Sequence, residues 1–456
     1  MELWFTLFII VISSTQTRQC CTSKKTPGST EQLVCVNVTT HYMESLRINR
    51  TDKLVCQGCH LNTLTSAALN FTPNRLHLLY LSSAQMHRIE DNAFSKLVQL
   101  KKLLLRKNHL TEVNEKTFIG LRMLIQLDLS NNMIEILPDD VFKPMLYLDL
   151  LNLNENLIRD LRPRCFNNLS YLKYLYLNNN DIESVDPYIF KYMTSLKIIY
   201  LENNRIKELS PLAFANLNNL VFMYLNNNSL ERLSDYNFVK LTNLVDLQLR
   251  MNSISSIPAS CFNGLRKLKY LYLGDNNISR LEVHSFTGLD SLNVLDLLHN
   301  EIREFSLDYL GGTPELNVIW MEGNAIRVLD SGDFGAVLQN LKSFDVQMNQ
   351  LEWFNYKLLH KKLPSLKNLI VGGNLFKCEF LLPMMDYFDG VNATLCVDYG
   401  CNETDIYELA DTLCNTAFYN ESIDSGDSGA QTFNFLLVKF YLFVYFVDFC
   451  FAFSFS

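Results

Sequence analysis

Cys56 and Cys59, separated by two residues, are the pair whose type and spacing most directly suggest chemistry. Such a pair either supplies half of a zinc site or belongs to a disulfide-bonded cap. A zinc site needs two more ligands, and the eight histidines are scattered without metal-binding spacing. There is no His-Glu-x-x-His, no Gly-x-Ser-x-Gly and no glycine loop that would cradle a phosphate. Gly311-Gly312 and Gly372-Gly373 read as turn or strand adjustments. Acidic pairs are common, but paired carboxylates without a pocket are a solvated face. The chain is therefore expected not to be an enzyme and to need no metal or cofactor.

A second chemistry is recognition by aromatic side chains. Tyr174, Tyr176, Tyr200, Phe222, Tyr224, Tyr270, Tyr272 and Trp320, with Ile198 among them, recur in phase with a 24-residue period. Tyrosine and tryptophan give large contact area at small entropic cost and concentrate in binding hot spots. The same residues could instead stack as a cross-strand ladder that stabilises a sheet. The two readings are compatible.

The elements that position these residues follow from the period. Leucines recur every 24 residues from Leu76 to Leu316, and further units start at Leu341 and Leu366 after steps of 25. In the second unit the constant positions are Leu100, Leu103, Leu105, Asn108, Leu110, Val113, Phe118 and Leu121. Leu103 and Leu105 alternate on one side of a short strand. Leu110, Val113, Phe118 and Leu121 point inward from the returning segment. No single unit buries its apolar face alone, so stacking must create the core. The spacing predicts an α/β solenoid of about 13 repeats with a parallel sheet on its concave side, roughly 60 Å long at ~4.8 Å per strand. The asparagine at position 108 and its equivalents up to Asn374 should form a buried hydrogen-bonded ladder. Ala84 replaces it in the first unit.

The ends of such a stack need covers. Cys20, Cys21, Cys35, Cys56 and Cys59 precede the repeats, and Cys378, Cys396, Cys401 and Cys414 follow them. Both clusters read as disulfide-bonded caps; the four C-terminal cysteines allow three pairings. Cys165 and Cys261 lie four units apart, roughly 20 Å by strand spacing, too far to bridge, and read as buried free thiols. Five cysteines in the first cap leave one over, free or linked to a second chain in a homo- or heterodimer.

Net charge is −8, with 19% charged residues, which does not favour nucleic acid. The expected partner is a protein or glycan on the concave face. Lys101, Lys102, Arg106 and Lys107 make the second unit basic, whereas Asp128, Glu155, Glu202, Asp246, Asp296, Glu322 and Asp345 make later units acidic. That gradient favours a ligand with a basic patch.

Residues 1–17 read as a signal peptide, 18–75 as the N-terminal cap, 76–374 as repeats and 375–415 as the C-terminal cap. Residues 416–432 read as a stalk and 433–456 as a hydrophobic tail. Sequons at Asn37, Asn49, Asn70, Asn168, Asn227, Asn277, Asn392, Asn402 and Asn420 support export and glycosylation. The tail reads as a glycolipid-anchor signal with Ser425 as attachment residue, as a membrane span, or as the end of a soluble product.

The 24-residue unit with its Asn and Phe, between cysteine caps, resembles extracellular leucine-rich-repeat proteins. These include Toll-receptor ectodomains, Slit, connectin and chaoptin, lamprey variable lymphocyte receptors and insect leucine-rich immune proteins. The resemblance covers residues 76 to about 415. It implies an extracellular or cell-surface location and a role in adhesion, innate-immune recognition or co-reception. Departures are a lone Cys378 where many members carry Cys-x-Cys, no following coiled-coil heptads and no cytoplasmic signalling domain. The layout fits an anchored adhesion molecule such as connectin best.

Overall fold

The structure is a computed structural model that describes residues 20–24, 31–46, 51–70, 74–332 and 338–397. Each repeat contributes a three-residue strand whose centre is the second leucine of the unit. In the strand Tyr174–Tyr176, Leu175 is fully buried while both tyrosines are half-buried on the other side. Neighbouring strands pair in parallel with no offset: Leu151 lies opposite Leu175, which lies opposite Ile199, which lies opposite Met223. The period of the sequence thus becomes the register of the sheet. Among the described residues 17 strands join this one sheet.

Behind the sheet, Phe94, Phe118, Phe142, Phe166, Phe190, Phe214, Phe238, Phe262 and Phe286 form a fully buried column. Short two-residue strands such as Ser184–Val185 and Glu208–Leu209 pair on the return path. Equivalent rings on adjacent units measure the local pitch. It is 4.6 and 4.7 Å between Tyr176, Tyr200 and Tyr224 on the sheet face. Along the phenylalanine column it is 5.8–6.3 Å. Units thinner at the sheet than at the back stack into an arc with the sheet face inside.

The asparagine ladder closes each turn. Asn204 Oδ1 accepts from the Ile182 N–H (3.0 Å), and its Nδ2 donates to the Leu177 and Leu201 carbonyls (3.0 Å each). The pattern recurs from Asn108 to Asn374. The residue before each ladder asparagine is left-handed, for example Asn131, Asn179, Asn203 and Asn227 at φ 52–57°. Asparagine tolerates that region, which explains the Asn-rich turns.

The parallel sheet begins before Leu76 and continues past Leu366. Strands Gln32–Val36 and Lys53–Gln57 pair in parallel ahead of Leu78–Tyr80, and Thr394–Cys396 pairs after Asn368–Ile370. Register explains these added turns. Leu33 aligns with Leu54 and Leu54 with Leu79, so Cys35 and Cys56 occupy the second inward leucine position. Cys59 then stands at the ladder position that Ala84 holds in the next unit. The Cys56–Cys59 pair is a disulfide, which removes the zinc alternative. Gly58 between them has φ +60°, and a Cβ there would meet Asn37 Oδ1 at 2.6 Å. Cys21–Cys35 ties the antiparallel edge strand Cys20–Lys24 to the first parallel strand. Cys20 is free and exposed; Cys165 and Cys261 are free and buried.

At the other end the helix Cys378–Asp389 lays Met384, Met385 and Phe388 against the last units. Cys378 and Cys396 are both disulfide-bonded. No helix among the described residues is long and apolar enough to cross a membrane. The expected signal peptide, stalk and tail, with Asn49, Cys401, Asn402, Cys414, Asn420 and Ser425, lie outside the described residues.

Candidate functional site

Side chains alternate along each strand, so residues flanking the buried leucines line the inner face of the arc. In-register pairing turns them into columns. One column runs Asn152, Tyr176, Tyr200, Tyr224, Gln248, Tyr272, Asp296, Trp320. Its neighbour runs Tyr174, Ile198, Phe222, Asp246, Tyr270.

The expected aromatic residues fall into separate groups along the sheet. Tyr176, Tyr200 and Tyr224 stack nearly parallel, at interplanar angles of 9° and 1°, with Tyr174, Ile198 and Phe222 beside them. Asp246 and Gln248 then interrupt the surface before Tyr270 and Tyr272, and Trp320 lies two strands further on. Burial raises the Tyr176 hydroxyl pKa and takes that of Tyr200 to about 12, so both hydroxyls stay protonated at neutral pH.

Several of the acidic residues are committed to the fold. Asp128 accepts from the Ser130 N–H and Oγ, and Asp345 accepts from the Gln347 N–H, closing short side-chain turns at the strand ends. Asp345 is pushed up to about 6 by burial. The Asp296 side chain is fully buried, accepts from the Leu298 N–H, and pairs with Arg250 two units away. Gly274 on the intervening unit makes that reach available, since a Cβ there would lie 2.9 Å from Asp296 Oδ2. Arg250 also lies 5.5 Å from the Tyr272 ring centroid. This cluster carried no signal in the repeat pattern; a glycine in a column of larger residues was its trace.

Glu202 is different. It sits just beyond Tyr200 on the same face, and burial raises its carboxyl to about 7. Its Oε2 is buried without a hydrogen-bond partner. The residues at the same place in the two preceding units, Asn178 and Asn154, each have a buried Oδ1 without a partner.

Of the expected glycosylation residues, Asn70, Asn168, Asn227, Asn277 and Asn392 are exposed and Asn37 is half-buried. Among the described residues no three His, Cys, Asp or Glu side chains group as metal ligands.

The leucine rich repeat family matches residues 74–134, 126–182, 170–230, 223–278 and 266–326, together more than half of the chain. The chain belongs to the leucine-rich-repeat family. Several solved leucine-rich-repeat structures share its fold. A protein of Leptospira interrogans superposes with a TM-score of 0.60 at 23% identity, over 76% of this chain and 84% of that one. The LRIM1/APL1C complex contains a chain matching with a TM-score of 0.56 at 18% identity, over 94% of this chain and 78% of that one. Drosophila Toll in its complex with Spatzle matches with a TM-score of 0.54 at 17% identity, over 84% of this chain and 71% of that one. At these identities the likeness concerns the fold alone.

Proposed function

We propose that this leucine-rich-repeat protein is an extracellular, membrane-anchored recognition molecule, without catalytic activity, that grips a protein or glycan on the inner face of its arc. The observation that carries this reading is the Tyr176–Tyr200–Tyr224 stack with Tyr174, Ile198 and Phe222 beside it. Stacking fixes the rings before binding, so little entropy is lost when a partner covers them. Cell adhesion is the role this layout serves best. A secreted immune factor or co-receptor is the second reading, supported by the kinship in fold with Toll and with LRIM1/APL1C, both solved in complexes.

The test expresses the full chain on cells and screens it against extracellular proteins and microbial surfaces. Aggregation of expressing cells supports adhesion; selective capture of microbial ligands supports immune recognition. Release by phosphatidylinositol-specific phospholipase supports the glycolipid anchor. Unchanged capture by the double variant Tyr200→Ala, Tyr224→Ala would remove the aromatic face from the reading. Exposed Cys20 offers a dimer link, and equal migration on reducing and non-reducing gels would dispose of it.

A further inference from the structure

Seven buried side-chain polar atoms lack a hydrogen-bond partner among the described residues, and three of them fall at one position of three consecutive units. Each ladder asparagine uses both its acceptor and its donors. Three residues at one position of three consecutive units do not. Asn154 Oδ1, Asn178 Oδ1 and Glu202 Oε2 are buried acceptors with no donor. Orphaned buried acceptors cost roughly 1–3 kcal/mol each, more for a charged group.

The row lies two residues along from Asn152, Tyr176 and Tyr200, on the side of the sheet that faces the inside of the arc. The next two positions in the row are Asn226 and Arg250. Among the described residues Glu202 forms no ion pair, and the nearest cation in its row, Arg250, is bound to Asp296. Asn154, Asn178 and Glu202 keep part of their surface exposed. Terminal amide and carboxyl torsions are broad, so rotation about the last bond turns an acceptor oxygen to the open side while the other terminal atom takes the buried place.

We infer that Asn154, Asn178 and Glu202 form a subsite for the guanidinium of an arginine side chain presented by a protein ligand, with the tyrosine stack as its apolar wall. The inference rests on the inner-face reading above and names the chemistry that this face recognises. A guanidinium brings several N–H donors in one plane, a positive charge for Glu202 and a flat apolar surface suited to tyrosine. A row of acceptors one strand apart matches a planar multiple donor better than a compact ammonium.

The probe is the peptide acetyl-Gly-Arg-Gly-amide, titrated into the full chain by calorimetry. Its citrulline and lysine counterparts serve as comparisons. The arginine peptide should bind at least roughly tenfold more tightly than either, since it alone supplies both charge and planar donors. Glu202→Gln and Asn178→Ala should each weaken it roughly tenfold or more. Glu322→Gln, which removes the same charge five units away, should leave it unchanged. Glu202→Gln should meanwhile resist denaturant better than the parent at pH 8, a combination of gained stability and lost binding that a merely structural residue would not show. Equal binding of the citrulline or lysine peptide, or equal losses in Glu322→Gln and Glu202→Gln, would overturn the subsite. So would absence of arginine-peptide binding in a chain whose partner capture still depends on Tyr200 and Tyr224. That last result would leave the inner-face reading standing, so the two failures are distinguishable.

Discussion

Replacing Asn204 by alanine tests the ladder at a single rung. The side chain makes its three shorter bonds to the Ile182 N–H and to the Leu177 and Leu201 carbonyls, beside a longer one of 3.3 Å to the Glu202 carbonyl. The consequences for these three groups differ. Leu177 O still receives Asn180 Nδ2, and Leu201 O still receives Asn228 Nδ2. Each carbonyl loses only the second of two donors, about 0.5–1.5 kcal/mol apiece. The Ile182 N–H is left buried with nothing, about 1–3 kcal/mol. The total is about 2–6 kcal/mol, a large part of the stability of an ordinary domain. Because repeats contact only their neighbours, the loss should split unfolding into two phases rather than lower one midpoint. Urea unfolding followed by circular dichroism reads the energy, and hydrogen exchange reads the Ile182 amide directly. A change below about 0.5 kcal/mol, typical of a neutral surface substitution, with Ile182 still protected, would refute the ladder as a stabilising device.

Three further outcomes are expected. Gly274→Ala places a Cβ 2.9 Å from Asp296 Oδ2, whereas Gly311→Ala meets only the Asp308 carbonyl at 3.4 Å; thermal unfolding should show clear destabilisation in the first and little in the second. Glu202 has its carboxyl raised to about 7 in the fold. The folded state therefore holds the proton more tightly than the unfolded one between about pH 4.5 and 7, and stability falls as pH rises through that window. Glu202→Gln should abolish this slope and gain ~2 kcal/mol above pH 7 after allowance for partial exposure, with little change at pH 4; a pH-independent effect would contradict the burial argument. Burial also pushes the Cys165 and Cys261 thiols well above the ordinary range, so native alkylation read by mass spectrometry should label Cys20 and spare both of them.

Most of the fold was legible because one physical demand repeats. Leu175, Phe166 and Asn180 have equivalents one period away, and burying the first two while hydrogen-bonding the third is the same problem in every unit. Legibility failed where that problem is solved with other residues. Cys35 and Cys56 take a leucine position in the first turns, and Cys59 takes an asparagine position, so a search for leucines starts too late. On the inner face both the aromatic types and their division follow from the period, which puts Asp246 between Phe222 and Tyr270; the stacking of Tyr176, Tyr200 and Tyr224 appears only when strands are laid side by side. Asp296 reads as one more surface acid in sequence. In the fold it is buried against Arg250, 46 residues away, because Gly274 clears the path between them. Pairings across two units depend on three side-chain sizes at once, and periodicity reports each position separately.

A footprint of the protein with its captured partner shows which surface does the gripping. Hydroxyl-radical labelling separates two sets of tyrosines on neighbouring repeats. Tyr176, Tyr200 and Tyr224 lie on the inner sheet face, whereas Tyr147 and Tyr171 lie exposed outside the strands. Protection of the first set, with the second still labelled, is the predicted result. Protection of Tyr147 and Tyr171 with the inner tyrosines unchanged would show that the partner grips a different surface.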